Sequence, residues 1–413
     1  MQERIEFTQE MKRDYTILIP NMLPVHLSLI RCVFELHGYR MVLLQNEGPG
    51  VVEAGLKYVH NDTCYPALLC IGQFIDALQS GKYDVHRTAL IITQTGGGCR
   101  ASNYIFLLRK ALEKAGLGFV PVISLNPVGM EKNSGFKITL TLLLQAMMMI
   151  LYADVLMCLK NQVEPYENDK GACERLVDVW ADKLTEQFRR NPRAAALRFK
   201  RNVGEIARDF EAVPYTSQKK IKVGIVGEIF VKYSHVANNH LEQFLLSQGC
   251  EVSVPGLMGF LLNALDHSID DVDLYGGNRI KQLGFKLVMR YVNHIERVIS
   301  RAIQKSSRLT PPTPYSTTRR ELGGVLGVGC KMGEGWLLTA EMCELIDGGV
   351  PNIVCVQPFG CLPNHIAGKG TIRALRERYP QANIVPIDYD PGATRVNQEN
   401  RLKLMLSVAR EEH

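Results

Sequence analysis

Residues 89–104 read Ala89-Leu-Ile-Ile-Thr-Gln-Thr-Gly-Gly-Gly-Cys-Arg-Ala-Ser-Asn-Tyr104, and this stretch decides the fold class. Ala89 to Gln94 is a short apolar run without the polar alternation of a half-exposed strand, which is the pattern of a strand covered on both faces. It leaves through glycines, and Tyr104 to Lys114 then follows a helical period. The same strand–loop–helix grammar extends outward in both directions. Tyr15 to Pro20, Met41 to Leu44 and Phe119 to Ser124 read as strands, with helices over about 27–36 and 65–78. From about Phe136 to Phe210 the pattern is helical. Lys219-Lys-Ile-Lys-Val-Gly-Ile-Val-Gly-Glu228 then restarts it, with strands near Val252, at Asn352 to Val356 and at Asn383 to Ile387, and helices over about 241–246, 279–304, 335–346, 365–378 and 398–410. Ser306 to Thr318 is a loop by composition. The expectation is α/β: two doubly wound parallel-sheet domains, 1–135 and 215–413, with a helical segment over 136–214 between them. No internal repeat is visible by eye.

Composition narrows the function. The chain has 413 residues, 46% apolar and 22% charged, with a net charge of +6, which describes an ordinary globular protein. The densest basic cluster, Arg189 to Arg201, is interleaved with Glu186 and Glu205 and lacks the aromatic platform of a nucleic-acid reader. The start, Met1-Gln-Glu-Arg-Ile-Glu, has no apolar core of a signal peptide. Ile138 to Ala153, sixteen uncharged positions, falls short of the ~20 that span a bilayer. A buried core helix and a cytoplasmic protein without nucleic-acid or membrane partners are expected.

In a reducing compartment eleven cysteines are core fillers, metal ligands or redox groups rather than disulfides. Cys32, Cys158 and Cys250 sit in helix- or strand-like apolar runs and read as core, as do Cys70, Cys343 and Cys355. Cys64 (Asn61-Asp-Thr-Cys-Tyr-Pro66), Cys99 and Cys361 (Gln357-Pro-Phe-Gly-Cys-Leu-Pro-Asn-His365) differ: each reads as a strand-to-helix loop flanked by glycine or proline. Loops at the carboxyl ends of parallel strands can share one crevice. Three thiolates there suit an iron–sulfur cluster, with Gly97 and Gly98 letting the backbone approach it and a helix N-terminus favouring the thiolate of Cys64. The Cys-x₂₋₄-Cys spacing of zinc sites is absent, and Cys64 and Cys70, ~240° apart on a helix, would not share a face. Structural cysteines remain the competing reading. Cys330, in Gly327-Val-Gly-Cys-Lys-Met-Gly-Glu-Gly-Trp336, is either incidental to a tight turn or a further ligand facing the crevice of Cys361. Glu334 and His365 are the candidate catalytic groups, as proton shuttle and proton donor; a loop acid binding backbone N–H groups and a helix-cap histidine are their plain alternatives. His60, Asn364 and Gln94 stand in the same loops.

Four segments together, Asp62-Thr-Cys-Tyr-Pro66, Gly96-Gly-Gly-Cys-Arg-Ala-Ser-Asn-Tyr104, Gly333-Glu-Gly-Trp-Leu-Leu-Thr339 and Gln357 to His365, resemble the 2-hydroxyacyl-CoA dehydratase superfamily. The likeness is greatest to its acyl-CoA dehydratase activase-related branch, with the double-cubane cluster proteins as relatives. The resemblance implies α/β domains with an oxygen-sensitive [4Fe-4S] cluster held between them, its three cysteines matching Cys64, Cys99 and Cys361. It also implies electrons delivered at low potential by an ATP-hydrolysing iron–sulfur activase. The chain has no Walker A or comparable phosphate loop, so it looks like the electron acceptor and not the ATPase. A double cubane would need further thiolates, for which Cys330 and Cys70 are the candidates. Three functions follow: reduction of a small molecule, radical dehydration of a 2-hydroxyacyl-CoA thioester, or a non-catalytic partnership with the activase. For a CoA thioester, Arg100, Lys331 and Lys369 are candidate phosphate contacts. A homodimer and a heterodimer with a second subunit both fit.

Overall fold

The computed structural model describes residues 4–60, 63–95, 97–126 and 130–411; Asn61, Asp62 and Gly96 of the cysteine motifs lie outside them. The first sheet holds β1 (Thr16–Ile19), β2 (Arg40–Leu43), β3 (Thr88–Thr93) and β4 (Val122–Leu125) in the order β2-β1-β3-β4. The second holds β5 (Lys222–Gly227), β6 (Glu251–Ser253), β7 (Asn352–Pro358) and β8 (Asn383–Tyr389) in the order β6-β5-β7-β8. Every pairing is parallel; Thr16 stands opposite Arg40 and Thr88, and Val223 opposite Val252 and Asn352. The two sheets therefore repeat one strand order although no sequence repeat is visible. β7 is buried along its whole length and β3 up to Thr93, which is why both read as continuous apolar runs. Within this order the loops leaving β1 and β3 diverge, as do those leaving β5 and β7, opening a crevice at the carboxyl end of each sheet.

The helices between the sheets tie them together. Leu140–Val163 is N-capped by Thr139, whose hydroxyl accepts from Leu142 N at 3.2 Å. It runs on well beyond Ala153, because nothing at Asp154 or Lys160 breaks the helix, so the expectation of a sixteen-residue segment is corrected to 24 residues. By length and composition it could cross a membrane; 61% of its most apolar window is buried inside the molecule. Asp154, at its centre, is the tie point. One carboxylate oxygen lies 2.8 Å from His26 Nε2 of helix Pro24–Leu36 and accepts from Leu257 N at 2.7 Å, while the other accepts from Met258 N at 2.9 Å. A side chain from the middle of the chain thus caps helix Leu257–Tyr275. One apolar core includes Ile17, Tyr152, Trp180, Val354 and Tyr389, residues of both sheets and of the helices between them.

Four local readings differ from the sequence expectation. Helix Leu257–Tyr275 was not anticipated, and part of the expected loop at 306–318 forms helix Tyr315–Glu321. The helix expected over 365–378 is broken at Gly368 and Gly370 into Leu362–Ala367, a 3₁₀ turn at Lys369–Thr371 and Ile372–Arg378. Cys64 does not follow a strand: helix Pro49–Tyr58 precedes it, so it stands in a helix-to-helix loop.

Candidate functional site

Each of the three singled-out cysteines is the N-cap residue of a helical element. Cys64 caps Tyr65–Gln79, Cys99 the 3₁₀ turn Arg100–Asn103 after β3, and Cys361 helix Leu362–Ala367 after β7. An N-cap places a side chain beside backbone N–H groups that lack helical partners. Pro66 and Pro363 stand in the first turns of their helices, where a missing N–H costs nothing.

The three thiols share one neighbourhood. Burial pushes the Cys64 thiol up to about 12, Glu228 adds to this, and Cys361 and Cys99 are close enough to raise it further. Burial also raises Cys361 to about 12 and raises Cys99, and both feel Glu334 and Glu228. Against this, the N–H groups of Ala101 and Arg100 favour the Cys99 thiolate, and that of Asn364 the Cys361 thiolate. Two side chains donate directly to sulfur: Tyr104 Oη to Cys64 Sγ at 3.1 Å and Asn364 Nδ2 to Cys361 Sγ at 3.4 Å.

A pair of carboxyls adjoins the thiols. Glu334 is buried, its Oε1 accepting from Ile229 N at 2.9 Å and its Oε2 from Asn364 Nδ2 at 3.2 Å, while Asn263 Nδ2 holds its carbonyl at 3.1 Å. Glu228 follows β5 and caps helix Ile229–Tyr233 through Val231 N at 2.8 Å. Burial and then the charge of Glu334 lift the Glu228 carboxyl to about 8, and burial raises Glu334 as well. Burial and the neighbouring charge thus favour the protonated form of Glu228 beside the thiols.

Of the glycines, Gly97 opens to free space, whereas a Cβ on Gly98 would lie 2.4 Å from Met332 Sδ. The Cys99 loop therefore packs against the 330–335 loop that carries Glu334. His365 is turned toward its own helix and β8: its Nδ1 lies 2.8 Å from the Cys361 carbonyl and its Nε2 3.7 Å from Asp388. Cys330 is half-buried at the edge of the second sheet's core, raised by burial, with its carbonyl accepting from Trp336 N at 2.7 Å. Cys70 is buried behind Cys64 and feels its charge. Cys32, Cys250, Cys343 and Cys355 are buried, and Cys158 is only half-buried. Lys331 is paired with Asp271, and Lys369 lies 3.4 Å from Asp388.

Glu228, Tyr104 and the buried pair Lys232–Glu341 belong to this site and were not singled out from the sequence. Glu228 alone had a signal there, as an acid immediately after the glycine at a buried strand's exit. Among the described residues, no three or more His, Cys, Asp or Glu stand close enough to hold one metal ion. No protein-family model matches the chain, and no curated protein matches its sequence.

Proposed function

We propose that this chain is a low-potential iron–sulfur protein, with its cluster on Cys64, Cys99 and Cys361 between the two sheet-bearing halves. It would accept electrons from an ATP-hydrolysing iron–sulfur activase and reduce a small molecule. The observation that carries the reading is the convergence of these three thiols, one from a helix-to-helix loop and two from loops that leave β3 and β7, on one pair of carboxyls. The donor set fits a cubane better than a single ion. A cubane spreads its cysteines over separate irons, so its ligands need not meet at one point, and N–H or O–H groups aimed at sulfur tune its potential. Tyr104 and Asn364 are such donors.

The cluster would supply one-electron chemistry and, with three protein ligands, an iron position open to substrate. The protein's own part is proton management. Burial and the charge of Glu334 favour the protonated form of Glu228, Glu334 is held in place by Ile229 N and Asn364, and both lie near the thiols. Such an acid pair suits a reduction in which each electron is matched by a proton. Lys331 and Lys369, two of the three candidate phosphate contacts for a CoA thioester, are engaged by Asp271 and Asp388.

The test is iron and acid-labile sulfide per chain on anaerobically purified protein, with EPR after reduction. About four irons supports one cubane, and about eight brings in further thiols such as Cys330. No iron after reconstitution overturns the reading and leaves a cluster-free partner protein.

A further inference from the structure

A cavity of about 240 Å³ shares Glu341 with the candidate site but none of its thiols. It is lined by helix Leu140–Val163, edge strand β6, the start of helix Leu257–Tyr275, helix Arg279–Ile303, the 310–318 segment and helix Leu337–Asp347. Cys64, Cys99, Cys361, Glu228 and Glu334 are not among its lining residues. Its walls carry the carboxylates of Asp154, Glu251, Glu296, Glu341 and Glu344 and a single cationic side chain, Lys222.

Three of those carboxylates are committed within the fold. Asp154 caps Leu257 and Met258, Glu251 accepts from Tyr166 Oη at 2.7 Å with Lys222 at 3.5 Å, and Glu341 pairs with Lys232 at 3.2 Å. The other two have capacity left. Glu296 uses Oε1 for Tyr315 N at 3.1 Å, but its Oε2 is buried without a partner. Glu344 accepts from the Thr313 hydroxyl through Oε1 alone. Asn161, only 7% exposed, also lines the cavity, and its Nδ2 is a buried donor with no acceptor. Buried polar groups in folded proteins are almost always paired, and leaving a donor and a carboxylate oxygen open in one cavity lowers stability unless something fills it. Val155, Ile299 and Pro312 supply apolar wall between these polar points.

We propose that the cavity binds a small organic cation: a primary ammonium held by Glu296 and Glu344, on a short apolar stem carrying a hydrogen-bond acceptor for Asn161 Nδ2. The volume lies below the usual range of drug-sized pockets, which sets the ligand at metabolite scale. An inorganic cation is the poorer match, since among the described residues no three acidic or other ligating groups converge on one point. An anion would meet five carboxylates, and a neutral amide would leave Glu296 uncompensated.

Calorimetric titration of the full chain with 4-aminobutanamide, against butanamide and butanoate at equal concentrations, tests this. The expected result is saturable binding of 4-aminobutanamide alone, weakened at least tenfold in both Glu296→Gln and Asn161→Ala. Glu344→Gln repeats the charge test at the second open carboxylate. The proposal is overturned if 4-aminobutanamide shows no saturable heat at millimolar concentration. Equally tight binding of butanamide, or unchanged affinity in folded Glu296→Gln or Glu344→Gln, would also overturn it.

Discussion

Lys232 and Glu341 form an ion pair inside the protein, Nζ 3.2 Å from both carboxylate oxygens, with each side chain 3% exposed. Lys232 lies one turn beyond Glu228, on helix Ile229–Tyr233, and its charge also favours ionised Glu228 and Glu334. The pair therefore fastens the helix after β5 to helix Leu337–Asp347 behind the carboxyls of the candidate site.

Removing one member strands the other as a buried, uncompensated charge. Lys232→Met is expected to cost about 3–5 kcal/mol in urea unfolding, and Lys232→Met combined with Glu341→Leu to recover most of it. Equal losses in the single and double variants would show that the cost lies elsewhere.

The cluster reading separates the cysteines sharply. Cys64→Ser, Cys99→Ser and Cys361→Ser should each lower bound iron strongly. Cys158→Ser, whose sulfur neighbours Gln162 and Thr310, should leave it unchanged. Full iron in all four variants would mean that the ligands are misassigned.

Two glycines in contacting loops should respond differently to alanine. At Gly98 the added Cβ meets only the end of Met332, an exposed and flexible side chain that can move aside, so Gly98→Ala should cost less than ~1 kcal/mol. At Gly335, φ is +56° and a Cβ would sit 2.2 Å from the Cys330 carbonyl oxygen, which is backbone and cannot step away. Gly335→Ala should cost at least ~2 kcal/mol, from left-handed strain plus displacement of the loop beside Glu334. Comparison of thermal midpoints decides; similar values for the two variants would contradict the loop geometry.

Stability should also carry the signature of Glu296, whose carboxyl burial raises from 4.5 to about 7. Between those values the folded chain binds more protons than the unfolded one, so this group makes stability fall as pH rises. Its cost is absent below about 4.5 and complete above about 7, where it amounts to about 3 kcal/mol. Glu296→Gln keeps an acceptor for Tyr315 N and removes the charge. It should therefore be more stable than the parent at pH 8 and equal to it near pH 4.5. A pH-independent difference between the two proteins would show that the carboxyl titrates normally.

Much of the strand and helix content was legible because it depends on neighbours a few residues apart. The apolar run at Ala89 to Thr93 and the stretch at Arg279–Ile303 declare a buried strand and a long helix through local pattern alone. The helix before Cys64 was not legible. Pro49-Gly-Val-Val-Glu-Ala-Gly opens with residues that ordinarily punctuate loops, and only packing against Tyr65–Gln79 makes it helical. There Gly55 and Gly72 let the backbones approach so closely that a Cβ on Gly72 would lie 2.1 Å from the Val51 carbonyl oxygen. The candidate site divided in the same way. Cys64, Cys99 and Cys361 could be named from their loops, but Glu228 could not be joined to them. Its partner Glu334 is more than a hundred positions further along, reaching the turn after Glu228 through Ile229 N.

The sequence by itself determined the α/β class, the succession of strands and helices, and the cysteines that stand where helices begin. These follow from side-chain period, glycine and proline placement, and the open N–H groups of a helix start. Only the tertiary structure decided that both sheets share one strand order, that Asp154 caps a helix some hundred residues away, and that Glu228 and Glu334 meet beside the thiols. Strand order and carboxyl pairing are set by which buried surfaces fit together, and the contacts that enforce them lie too far apart in the chain for any local pattern to carry.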